Sequence, residues 1–251
     1  MFGKNPVRKK DHGTGSRLWV QEIFYTIQGE GPATGTPAVF IRLAGCNLRC
    51  WFCDTDFESS DWKPTLPTIE NEVWHQARYG SGVERPETIR LPIVVLTGGE
   101  PLRQNVIPLI TRLNETGFAV HIETAGTLFL EGLHSKFYKG NPHGNLIVVS
   151  PKTSVVHGEV EKLASAFKYV IRAGDPAPTD PDTKNSPSTQ IKGKMAMGLA
   201  TPTDERMPIF IAPMDEYDGA RNEENMKHCV SMCLHKGYRI SIQTHKIMGL
   251  R

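Results

Sequence analysis

The chain has little of three things: long apolar runs, net charge and cysteine. Its 251 residues contain no run of about 18 apolar residues, so no membrane-spanning helix and no membrane partner are expected. Net charge is only +2, too little for a surface built to hold a polyanion, and no direct nucleic-acid partner is expected. Met1 to Arg17 carries Lys4, Arg8, Lys9, Lys10 and Arg17 around no apolar centre. A secretory leader is therefore not expected, and residues 1–17 read as a mobile basic tail. Cysteines number five, and three of them crowd into one loop. The other two, Cys229 and Cys233, lie four apart in a helical pattern from Glu223 to Lys236, where buried apolar thiols are expected. Free thiols belong in a reducing compartment, so a cytoplasmic location is expected.

The composition that is present is ordinary: 39% apolar and 22% charged. That describes a globular domain, here residues 18–251, close to the roughly 250 residues of a β/α barrel. Apolar runs alternate with helical patterns. Ala38-Val-Phe-Ile-Arg-Leu43, Leu91-Pro-Ile-Val-Val-Leu96, Ala119-Val-His-Ile-Glu123 and Leu146-Ile-Val-Val-Ser150 read as strands; residues 68–79 and 107–113 read as helices. The alternation implies a mostly parallel sheet. With a strand count short of eight, and fewer helices than strands, the expected fold is α/β, an incomplete TIM-type barrel. Residues 173–206, rich in proline among polar residues, read as a surface insertion.

Chemistry-bearing residues gather at the ends of these strands, the edge that carries the site in barrel-type folds. After the strand 38–43 comes Cys46-Asn-Leu-Arg-Cys50-Trp-Phe-Cys53. Three thiols facing one point suit zinc or an iron-sulfur cluster. A closed zinc site wants four ligands, and the nearest further candidates are His75 and Cys229. Three thiolates on a cubane leave one iron open. A zinc site completed by Asp54 in a non-catalytic module is the alternative. Thr97-Gly98-Gly99-Glu100-Pro101 follows another strand; its glycines admit a ligand close to the backbone, and Glu100 adds negative charge for an ammonium.

The cysteine spacing, three and then two residues between thiols, resembles the radical S-adenosylmethionine (SAM) superfamily. That resemblance implies a 4Fe-4S cluster on Cys46, Cys50 and Cys53, with its open iron chelating SAM. It also implies SAM contacts from Gly98, Gly99 and Glu100, from Glu123 at the ribose, and from Ser150, Pro151 and Lys152. Together with Ile27-Gln28-Gly29-Glu30-Gly31, Arg42, Cys53-Asp54-Thr55 and Gln243-Thr244-His245-Lys246, the chain from Glu22 onward resembles the 7-carboxy-7-deazaguanine synthase family.

That family resemblance implies a lyase acting on 6-carboxy-5,6,7,8-tetrahydropterin with loss of ammonia, toward queuosine and related 7-deazapurines. It implies Mg2+ on Thr55, a flavodoxin-type electron donor and a homodimer. The pterin would meet Ile27, Gln28, Gly29, Glu30, Arg42, Thr97 and His245, and Arg251 at the end of the chain. That end, Met248-Gly-Leu-Arg251, stands where relatives can carry proline. No side chain is assigned as a protein acid or base, since the radical comes from SAM. The nearest alternative is a radical SAM enzyme that activates or modifies a protein or peptide, which would need an open groove and gains nothing from Gln28, Glu30 or His245.

Overall fold

The computed structural model of the protein describes residues 3–82, 90–138, 140–180 and 186–250. The elements, in chain order, begin with β1 (Val20–Ile27), β2 (Pro37–Leu43), α1 (Leu66–Tyr79), β3 (Ile93–Gly98) and α2 (Ile107–Glu115). Then come β4 (Val120–Thr124), β5 (Leu146–Val149), α3 (Gly158–Leu163) and β6 (Ala166–Ile171). The chain finishes with β7 (Ser186–Pro187), β8 (Met195–Ala196), β9 (Ile209–Pro213), α4 (Gly219–Lys236), β10 (Arg239–Ile240) and α5 (Thr244–Ile247).

The main sheet runs β1-β2-β3-β4-β5-β6-β9-β10. β1 pairs antiparallel with β2, and every later pairing is parallel. The expected shortfall in strands is corrected here: the sheet has eight, and it falls short of a barrel in closure. β1 and β10 are its two ends and do not pair, so the sheet stays open.

The strands read as buried because they are. Ile93, Val94, Val95 and Leu96 of β3 are all buried, as are Ile147, Val148 and Val149 of β5. A parallel sheet covered on its faces needs such runs. Each fully buried aliphatic side chain contributes about 1.5–3 kcal/mol of transfer free energy. α1 lays Leu66, Ile69, Val73 and Ala77 on the core. Its cap is Thr65, whose hydroxyl accepts from the Thr68 amide at 3.4 Å, so the helix starts two residues before the expected Thr68. Pro67 sits in the first turn, where a missing N–H costs nothing. Cys229 in α4 is fully buried and Cys233 half-buried, and burial pushes the Cys229 thiol up to about 12.

β10 is short, Arg239–Ile240, and the chain then turns at Gln243 into the short α5. The basic segment, expected as a mobile tail, lies in this structure across the cysteine loop. Val7 bridges Cys46, the Arg8 amide donates to the Cys46 carbonyl at 2.7 Å, and the Asp11 amide donates to the Arg103 carbonyl at 2.8 Å.

Candidate active site

The parallel strands β2 to β6 and β9 all end on one edge, and the loops leaving them enclose two adjoining cavities. The first, about 230 Å³, is lined by Cys46, Cys50 and Cys53, by Thr97, Gly98 and Gly99, and by Ser150 and Lys152. The second, about 540 Å³, is lined by Ile27, Gln28, Arg42 and His245. Glu30, Asp54, Thr55, Thr97, Glu123, Asp215 and Gln243 line both. Residues spread from position 27 to position 245 therefore converge, as the strand-end rule anticipates.

The cysteine loop turns out of β2 at Gly45, whose φ of 80° is left-handed. A Cβ there would meet Arg103 Nε at 2.8 Å. Burial raises all three thiols, Cys46 to about 12. Buried thiols of this kind yield their protons on binding a metal rather than to water. Among the described residues no three His, Cys, Asp or Glu side chains are gathered as a single ion requires. Three thiols lining one cavity wall, each available to its own iron, fit a 4Fe-4S cluster bound through three corners.

Beside the thiols, the glycines of β3 are there for close approach. A Cβ at Gly98, whose φ is 129°, would lie 2.1 Å from the Leu43 carbonyl oxygen, and one at Gly99 would lie 2.2 Å from that of Gly45. The Gly99 amide donates to Leu43 O and the Glu100 amide to Gly45 O, so this turn and the cysteine loop are stitched together through backbone.

Glu100 departs from the expectation of a ligand-facing charge. It is fully buried and is not part of either lining. Its Oε1 accepts from the Leu102 amide at 2.9 Å and the Thr124 hydroxyl at 2.7 Å, while Oε2 accepts from the Ala125 amide at 2.9 Å. The carboxylate thus locks the β3 and β4 ends together, and burial raises its pKa. Pro151 also lies outside both linings and is buried. Lys152 is held by the carbonyl and hydroxyl of Ser150, at 2.9 and 2.6 Å.

The second cavity is organised by charge. Lys168 Nζ lies 2.6 Å from Glu30 Oε2 and 3.2 Å from Glu123 Oε2. Gln28 Nε2 donates to Glu123 Oε1 at 2.9 Å, and Gln28 Oε1 accepts from the Glu30 amide at 3.1 Å. Lys168 and Gln28 hold Glu123 below the usual carboxylate range against the opposing cost of burial. Arg42 Nε donates to Glu22 Oε1 at 2.8 Å, its directly opposite neighbour across β1 and β2, and its guanidinium lies 5.7 Å from the Phe24 ring centroid. Gly29 does not line either cavity but leaves room for His245: a Cβ there would be 2.0 Å from His245 Nδ1. Burial lowers His245, which is neutral at pH 7. Thr55 donates its hydroxyl to Asp54 Oδ1 at 3.0 Å. Arg251 lies outside the described residues.

Three residues at the site escape the motif reading. Lys168 stands in Ala166–Ile171, and a lone lysine inside a buried strand was a visible signal, since such a charge persists only when paired. Asp215 accepts from Lys246 at 2.9 Å, the Tyr217 amide at 3.0 Å and Asn222 at 2.9 Å. It thereby fixes Tyr217, a non-glycine residue at φ 57°, a conformation that costs on the order of 1 kcal/mol. Gln190, from the insertion, donates to Cys50 Sγ at 3.3 Å, and nothing local in its sequence announces it.

No family model matches the chain. Curated relatives do. The 7-carboxy-7-deazaguanine synthase of Rhodospirillum rubrum is 43% identical over 257 residues, covering 100% of both chains. That of Rickettsia prowazekii is 37% identical over 255 residues, covering 100% of this chain and 96% of its own. That of Escherichia coli K12 is 31% identical over 244 residues, 92% of this chain and 98% of its own. Among solved structures, the crystal structure of QueE from Escherichia coli aligns with a TM-score of 0.59 at 22% identity, over 90% of this chain and 94% of that one. At that identity the likeness speaks to the fold, an α/β open barrel. Full-length identity of this degree, together with thiols, glycine turn and second cavity in one place, establishes that the chain belongs to the radical SAM lyases of the 7-carboxy-7-deazaguanine synthase family.

Proposed function

We propose that this protein converts 6-carboxy-5,6,7,8-tetrahydropterin to 7-carboxy-7-deazaguanine with loss of ammonia. The observation that carries the reading is the pair of adjoining cavities: thiols and glycine turn line one, Gln28, Arg42 and His245 line the other, and Thr97 and Glu123 belong to both. A cofactor held in the first would therefore face a substrate held in the second across the residues the two linings share. When bound, the cluster and SAM supply the 5'-deoxyadenosyl radical; the protein supplies orientation, charge and shelter.

Each of the chain's own groups has a task in this reading. The pterin presents a guanine-like edge of donors and acceptors, matched by the backbone of Ile27 to Gly29 and by the Gln28–Glu30 network. Glu30 and Glu123, both bonded to Lys168, accept from ring N–H groups. Arg42 offers a planar charged fork to the substrate carboxylate, oriented by Glu22. Neutral His245 adds a donor without adding charge. Thr55, with Asp54 beside it, fits a magnesium ion that takes few protein oxygens and completes its shell with water and substrate. Ser150 and Lys152 border the SAM side.

The electron is taken to come from a flavodoxin-type donor in the cytoplasm, and the working form is taken to be a homodimer; both rest on family resemblance. The deciding experiment is anaerobic reconstitution, then incubation with the carboxytetrahydropterin, SAM, dithionite and Mg2+, with chromatographic detection of the deazaguanine. A brown protein with four irons that cleaves SAM yet yields no deazaguanine would favour a peptide-modifying activity. Colourless protein holding stoichiometric zinc would remove both.

A further inference from the structure

The insertion 173–206 is more than a surface excursion. Its hairpin segment, from β7 to β8, closes over the outside of the cysteine loop. The Trp51 amide donates to Thr189 O at 3.1 Å, and Trp51 Nε1 donates to Ser188 O at 2.9 Å. Thr189 in turn donates its hydroxyl to the Lys152 carbonyl, joining the insertion to the end of β5. Lys192 Nζ lies 5.3 Å from the Trp51 ring centroid, a cation on the aromatic face.

Gln190 is the point where this wall touches the ligand set. Its Oε1 accepts from the Arg49 amide at 2.9 Å, and its Nε2 donates to Cys50 Sγ at 3.3 Å. The two contacts fix each other. A backbone N–H must meet the carboxamide oxygen, so the nitrogen is the atom left to face sulfur. A second donor hydrogen goes to Thr189 Oγ1 at 2.9 Å. The side chain is therefore oriented from three directions and aims an N–H at one thiol.

We propose that Gln190 is a positioning residue for the cluster, and that its N–H to Cys50 raises the cluster's reduction potential while the 188–190 segment keeps water from that corner. The proposal rests on the assignment of Cys46, Cys50 and Cys53 as cluster ligands. An N–H donated to a cluster thiolate stabilises the extra negative charge of the reduced state, so its removal makes the cluster harder to reduce.

The test uses reconstituted full-length protein without substrate, read by redox titration with electron paramagnetic resonance. Gln190→Leu removes both contacts; Gln190→Glu keeps an oxygen for the Arg49 amide and lacks the donor. Both variants are expected to titrate at more negative potential. A tenfold fall in the reduced-to-oxidised ratio at fixed applied potential corresponds to 59 mV for one electron. In protein carrying 15N in its glutamine side chains, the reduced wild-type cluster is expected to show a nitrogen coupling that both variants lack.

An unmoved potential in Gln190→Leu, or a coupling that persists in it, overturns the proposal. Should Gln190→Leu fail to hold a cluster, Gln190→Glu decides by the same two readouts. A wild-type protein that takes up no four-iron cluster overturns the ligand assignment itself, and the proposal with it. SAM cleavage rates are not needed for any of these outcomes.

Discussion

Lys168 Nζ sits 2.6 Å from Glu30 Oε2, a bond between residues 138 apart in sequence that crosses from β6 to the loop after β1. With Glu123 on its other side at 3.2 Å, this lysine bridges two carboxylates in a largely buried place, with side-chain exposures of 6%, 16% and 17% for Lys168, Glu30 and Glu123. Lys168→Met should strand both charges, costing about 3–5 kcal/mol if they stay ionised. Chemical denaturation should record that loss at neutral pH, and part of it should disappear on acidification as Glu123, held below the usual range by Lys168 in the wild type, takes up its proton. A loss below about 1 kcal/mol at pH 7 would mean the triad is incidental to the fold.

Gln28 works in the same network, donating to Glu123 and accepting from the Glu30 amide. Gln28→Ala should weaken pterin binding about tenfold, or ~1.4 kcal/mol, while SAM affinity holds. Calorimetric titration of the reconstituted enzyme with each ligand in turn distinguishes them. Equal losses for both would point to general loosening of the strand ends.

Thr55 lines both cavities beside Asp54. On the proposed magnesium site, Thr55→Ala should reduce the stimulation of turnover by Mg2+ about tenfold, since it would remove one of few protein oxygens. The magnesium dependence of product formation gives the answer directly. A concentration curve superimposable on that of the wild type would take Thr55 out of the metal site.

Asp215 is held down to about 2, first by its hydrogen bond from Lys246 and then by those from Tyr217 and Asn222, against burial. Its folded pKa lies below the ordinary carboxylate value, so the stability it contributes is complete above about pH 4 and is lost as pH falls toward 2. The pair is part-exposed, which limits its worth to about 0.2–1 kcal/mol. Amide protection in Thr244–Ile247, taken relative to intrinsic exchange at each pH, should fall across that window in the wild type, and Asp215→Asn should already show the lower protection at pH 6. An identical exchange profile in the two proteins would unlink the ion pair from the terminal helix.

Much of the site was legible because parallel strands deliver their loops to one edge. Cysteine spacing, the glycine pair after β3 and Gln243-Thr244-His245 all sit at strand ends, and a strand can be read from its own residues. What escaped is long-range by nature. Glu100 looks like a ligand in sequence, and only the meeting of its carboxylate with Thr124 and Ala125 turns it inward. Gln190 is one polar residue in a polar stretch until the insertion folds back over Trp51. Residues 3–17 read as loose because their partner, the Cys46 carbonyl among others, is some forty positions away. The sheet is open as expected although it has eight strands, because its end strands β1 and β10 do not pair, and pairing between ends is set by long-range geometry that no single strand's residues display.

The chain lays Val7 and Arg8 on the thiol loop and brings His245 and Lys246 to the opposite chamber. A nascent polypeptide whose residues 243–246 are still inside the ribosome has one wall of the site missing, however far its strands have paired. The strand-end thiols and the segment 243–246 thus belong to one enclosure built from distant parts of the chain, and loss of that segment would open the second cavity while leaving the thiols on their loop.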